Sequence, residues 1–158
     1  MKRIALVIAV ASLALGVGAV HAAMDHGHGS MEMDHDMMKM GSAAHEEVVD
    51  GVKATFKVIS MQEHMKAMKM EMPKGMKETH HIMVEFKDTK TGKPITEGDV
   101  KVKVQSPDKS EQTKDLMGMQ GHFGGDFDLL KKGKYGVMAK FKVKDDKVRS
   151  SKFWYTVK

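Results

Sequence analysis

From Gly51 onward, hydrophobic residues recur at every second position in one run after another. That is the period of a strand with one face buried. Gly51 to Ser60 carries Val52, Phe56 and Val58. Thr79 to Asp88 alternates most clearly: His80, Ile82, Val84 and Phe86 fall on one face, His81, Met83, Glu85 and Lys87 on the other. Asp99 to Gln105 turns Val100, Val102 and Val104 inward, and Ser110 to Leu116 reads as a weaker polar or edge strand. In His122 to Leu129, Phe123 and Phe127 pack, and Gly124-Gly125 marks a bulge or a close approach of backbone. Tyr135, Val137, Ala139, Phe141 and Val143 alternate with Gly136, Met138, Lys140 and Lys142, and Val148 to Val157 follows with Phe153, Trp154 and Tyr155. Turns fall at Thr91-Gly92-Lys93-Pro94, Ser106-Pro107-Asp108-Lys109, Lys131 to Lys134 and Asp145-Asp146-Lys147. About seven short strands at regular spacing predict an all-β fold, an immunoglobulin-like antiparallel β-sandwich over residues 48–158.

Upstream the pattern changes twice. Lys2 and Arg3 precede an apolar run from Ile4 to Val20, and Val20-His21-Ala22 supplies a cleavage site, so residues 1–22 read as a secretory signal peptide. Residues 23–47 contain almost no branched aliphatic and no aromatic residue, so they cannot bury a core and read as a disordered tail. No later run is apolar enough to span a bilayer, so no membrane contact is expected after cleavage. The expected location is the periplasm or another exported compartment.

Composition then supplies the chemistry. The chain has 17 methionines and no cysteine. Heavy use of thioether without thiol suits an oxidising compartment. The net charge of +5 is too small to imply nucleic acid, and no recognition motif supports it. Met61 to His81, between two strands, holds six methionines and three histidines. Thioether is a soft ligand and imidazole a borderline one, a combination suited to copper, above all Cu(I). Met61, Met65, Met68 and Met72 share one face of a possible helix, with His64 beside them and Pro73 and Gly75 to end it. Met68, Met70 and Met72 read equally as an extended segment, and the whole stripe also fits plain packing on the sandwich edge. The 61–78 segment is thus a Met-rich insertion. In the tail, Met24-Asp25-His26 recurs as Met33-Asp34-His35, with His28 between them. Met117, Met119 and His122 lie in a glycine-rich, irregular loop where they could converge on one ion. His80 and His81 point to opposite faces of a regular strand, so only one can join such a site. Asp126 and Asp128 read as a polar outer face.

No paired-carboxylate motif, nucleophile elbow, phosphate-binding glycine loop or HExxH occurs, so no enzyme is expected. The run HHIMVEFKDTKTGKPITEGDVKVKVQSP, then MGMQGHFGGDFDL and GKYGVMAKFKV, resembles the YtkA-like and FixH-like family of exported immunoglobulin-like sandwiches, a class associated with metal handling. The tail resembles the Met/His-rich segments of periplasmic copper-tolerance proteins. The resemblance implies capture or delivery of Cu(I), or Ag(I), with a copper-transport or cuproprotein partner. The competing expectation is a non-catalytic interaction module whose methionines dock a partner or scavenge oxidants.

Overall fold

The structure is a computed structural model that describes residues 41–158. The leader and most of the tail, including Met24, His26, His28, Met33 and His35, lie outside the described residues.

Among the described residues, ten strands form two antiparallel sheets. The first sheet contains β1 (His45–Val49), β2 (Val52–Ser60), β3 (His80–Asp88), β8 (His122–Phe127) and β7 (Met117–Met119), hydrogen-bonded in that order, with β4 (Pro94–Ile95) also paired to β3. The second runs β10 (Arg149–Val157), β9 (Gly133–Val143), β5 (Gly98–Gln105) and β6 (Glu111–Asp115). Between them lies the core expected from the alternation: Val52, Ala54, Phe56, Ile82, Val84, Phe86, Phe123 and Phe127 from one sheet, and Val100, Val102, Val104, Tyr135, Val137, Phe141 and Phe153 from the other. Each such large side chain, fully buried, contributes roughly 1.5–3 kcal/mol of transfer free energy. The Tyr135 hydroxyl donates to the Lys131 carbonyl at 2.8 Å, which satisfies its one polar atom at the start of β9. Among the described residues, no helix is long and apolar enough to cross a membrane.

Three strands exceed the seven expected, namely β1, β4 and β7. Among the described residues strand structure begins at His45, ahead of the first expected strand at Gly51, because Asp50 and Gly51 both take positive φ (46° and 77°) and fold β1 back onto β2 with Val49 opposite Val52. An Asp-Gly pair between two alternating runs is a strong hairpin signal, and it was legible in the sequence. The segment holding Met117 and Met119 is likewise a strand rather than an irregular loop. Gln120 and Gly121 take φ of 45° and 80°, a two-residue turn that sets Met119 opposite His122.

Helix α1 (Met61–Ala67) leaves the end of β2 directly. Ser60 closes both the strand and the helix start. Its Oγ accepts from the Glu63 amide at 3.2 Å, and the Glu63 carboxylate accepts from the Ser60 amide at 3.2 Å, a capping box worth about 1 kcal/mol. The expected stripe through Met72 does not form, because the helix stops at Ala67, well before Pro73. Lys69 takes φ of 54°, the Met70 amide donates to the Met65 carbonyl at 2.9 Å, and the Lys69 amide donates to Lys66 at 3.1 Å. This is a Schellman stop with lysine where glycine is usual, hence invisible to a search for glycine and proline.

Candidate metal centre

The site lies on the outer face of the first sheet, under α1. Within β3 the period of two puts His81 and Met83 on that face. Strand register brings Ile59 and Asp126 to either side of His81, and Lys57 and Gly124 to either side of Met83. Within β8 the same period aligns His122, Gly124 and Asp126. An outer face normally meets water, but here His81 and His122 are each 2 % exposed and Met83 is fully buried. Part of the cover is α1, whose Met61, His64 and Met65, at i, i+3 and i+4, are buried.

Three groups meet there. The His81 Nδ1 bonds to Asp126 Oδ1 at 2.6 Å. With Nδ1–H donating to the carboxylate, the neutral ring keeps its lone pair on Nε2. That Nε2 is buried and has no hydrogen-bond partner, and neither has the buried Nδ1 of His64. The His64 and His81 rings stack at 3.9 Å between centroids, 8° from parallel. One ligand atom from each of His64, His81 and Asp126 lies within 4.8 Å of the others, close enough to share one ion. Burial pushes the His64 imidazole below its ordinary pKa, the neighbouring His81 adds to this and Asp126 opposes it. A neutral imidazole is the form that ligates metal.

The floor of the site is backbone. A Cβ on Gly124 would sit 2.5 Å from His81 Nε2 and 3.7 Å from His122 Cδ2. Both rings therefore close on Gly124, the position of this face of β8 that has no side chain. Leaving a buried nitrogen unsatisfied costs about 1–3 kcal/mol, and two on rings stacked at 3.9 Å fit a bound cation better than a packed core. Two imidazoles with an orienting carboxylate are a donor set that suits copper or zinc.

The sequence candidates separate cleanly in space. His64, His81 and His122 come together under α1, with Met61 and Met65 buried on the same helix. His80 points the other way, toward the core: its Nδ1 bonds the Thr79 hydroxyl at 2.8 Å, its ring lies edge-on to Tyr155, and burial lowers its pKa. Met68 is the helix C-cap and is exposed. Met117 and Met119 stand on the edge strand β7, opposite Gly124 and His122. Asp126 was missed as a site residue, and so were Met83 and Gly124. The signal that could have found two of them is the alternation His122, Gly124, Asp126, which is one strand face.

Comparison with known proteins bears on the fold. No family model matches the chain, and no curated protein matches it. Among solved structures, FetP of uropathogenic Escherichia coli strain F11 superimposes with a TM-score of 0.53 at 15% identity, covering 72% of this chain and 94% of that one. A copper-bound variant of the same FetP gives 0.56 at 12% identity, covering 73% and 90%. A DUF4426 family protein of Pseudomonas aeruginosa PAO1 gives 0.53 at 12%, covering 72% and 93%. At such identities the likeness establishes a shared β-sandwich fold.

Proposed function

We propose that this chain is an exported, non-catalytic copper-binding protein that sequesters or delivers Cu(I), or Ag(I), in copper tolerance or cuproprotein assembly. The observation that carries the reading is the pair of buried, unpartnered nitrogens, His64 Nδ1 and His81 Nε2, beside Asp126. Three supports accompany it: the methionine surplus without cysteine, the copper-bound state of a protein with the same fold, and the resemblance to the YtkA-like and FixH-like family. In this reading the sandwich holds the high-affinity site, the Met/His-rich tail collects ions, and the signal-like leader sends the chain to the periplasm. The Asp126 carboxylate orients His81 and fixes its tautomer, and α1 excludes water from the ligand nitrogens.

The test is Cu(I) competition against a chromophoric chelator on the mature chain and on a His64→Phe/His81→Phe variant. Loss of one tight equivalent in the variant, with unchanged strand content, supports the reading. Equal binding by both would overturn it as far as the sandwich is concerned.

A second reading has its own observation. Met68, Met70, Met72 and Met117 are 36, 53, 47 and 72 % exposed, a soft surface suited to docking a partner or to taking up oxidant. Peroxide titration with mass spectrometry decides whether these four form sulfoxide ahead of the buried Met61 and Met83.

A further inference from the structure

The centre under α1 is one-sided. Its inner wall is buried imidazole, and on its other side β8 is followed by the edge strand β7. In the row of the sheet that crosses its floor, Met83 stands opposite Gly124 and Gly124 opposite Met117. Directly opposed residues hold their Cβ positions about 4.5–5.5 Å apart on the same face. The missing Cβ of Gly124 lies 2.5 Å from His81 Nε2. A thioether on three rotatable bonds thus starts within reach of the lone pair that no protein group satisfies. The two methionines of this row differ in access: Met83 is fully buried and Met117 is 72 % exposed. Met117 thus presents an exposed thioether on the edge strand, in the row that crosses the floor of the buried nitrogen site.

We infer that Met117 is the outward ligand of this centre, restricting its tight binding to soft monovalent ions and serving as the point of exchange. The inference rests on the proposed metal site and adds which ion it selects and by which route the ion leaves. In the exchange, the bond from Met117 sulfur to Cu(I) breaks as a bond from an acceptor's sulfur or nitrogen forms. The copper stays monovalent, and no proton or electron moves. Thioether donors add little for Zn(II), which prefers imidazole, carboxylate and thiolate. Removal of the sulfur therefore separates the two ions.

The experiment compares the full mature chain with its Met117→Leu variant, which keeps bulk and hydrophobicity at an exposed position. Ag(I) serves as the redox-inert monovalent probe and Zn(II) as the divalent one. The His81 ring nitrogens, followed by NMR, report on this centre and not on the tail. The expected result is that the Met117 methyl and the His81 ring shift together on adding Ag(I) to the parent. In the variant the Ag(I) affinity read at His81 falls about tenfold or more, while Zn(II) affinity holds. A Met117 methyl that stays still while His81 responds, or equal Ag(I) affinity in both chains, overturns the inference and leaves the metal site standing. A His81 ring in the parent that responds to neither ion overturns the site itself, and the inference with it.

Discussion

The two outer faces of the sandwich are written in the same alternating pattern and have opposite fates. On the second sheet the outward positions of β5 and β9 include Lys101, Lys103, Lys140 and Lys142, which pair with Asp115, Glu111 and Asp146 at the surface or stand in solvent. On the first sheet the outward positions of β2, β3 and β8 include Lys57, His81, Met83 and His122, all buried. The difference is helix α1, an insertion between β2 and β3 that folds over one face and, among the described residues, has no counterpart on the other. An outer face left in water can only be solvated, whereas one roofed by a helix becomes a dry compartment. There burial holds the His64 imidazole below its ordinary pKa, and a carboxylate orients His81 instead of merely dissolving.

Two glycines make the sharpest test of that contrast. A Cβ at Gly136 on β9 would meet the Trp154 ring at 3.1 Å, but that ring is half exposed and can swing away. The Cβ at Gly124 would meet His81 at 2.5 Å, and His81 is held by Asp126 on one side and by the stacked His64 on the other. Gly124→Ala is expected to lower Cu(I) affinity by about 100-fold and stability by about 1–3 kcal/mol. Gly136→Ala should change stability by less than about 0.5 kcal/mol and leave affinity alone. Chelator competition and urea melts on both variants measure this, and equal effects at the two positions would erase the distinction between the faces.

The next effect in size concerns orientation. Asp126→Asn removes the charge that holds His81 Nδ1–H but keeps the shape. Cu(I) affinity is expected to fall about tenfold with little change in the melting midpoint of the apo protein. Glu111→Gln on the opposite face is the matched control, and its isothermal titration should superimpose on the parent's.

Acid should distinguish the faces as well. Burial lowers the pKa values of His64 and His80 in the folded protein. The unfolded chain then takes up protons first as pH falls below about 6.5, so stability is lost from there downward until the folded-state values are passed. In the β9–β10 turn, by contrast, the Arg149 guanidinium holds Asp145 down at about 2. That stabilisation is fully present above the ordinary carboxylate range and is lost only as pH falls toward about 2. Urea midpoints of the apo protein should drop between pH 7.5 and pH 5.5 through the histidines and again below about pH 4 through Asp145. A His80→Phe variant should flatten part of the first drop and none of the second.

The smallest effect is expected from the exposed ion pairs. Lys103 and Glu111 meet at 2.9 Å in solvent, and the Glu111→Gln variant should lose less than about 0.5 kcal/mol, vanishing in high salt.

What the sequence by itself determined was the sandwich: which residues alternate, which of them face the core, and where most turns fall. A strand carries its two faces in its own residue order, so Ile82, Val84 and Phe86 could be placed inward before any contact was known. The Asp50-Gly51 pair also carried a hairpin signal, although β1 was not among the strands expected from the alternation. The sequence also showed that methionine and histidine concentrate between β2 and β3, though not which of them meet. That was decided by tertiary structure. His81 and Asp126 are 45 positions apart and come together only through the register of β3 on β8. His64 reaches them because α1 is capped by Ser60 at the end of β2 and is stopped by a left-handed lysine, Lys69, which leaves Met68, Met70 and Met72 outside. Alternation tells a residue which way to point, but only the folded chain decides whether water or a helix is waiting there.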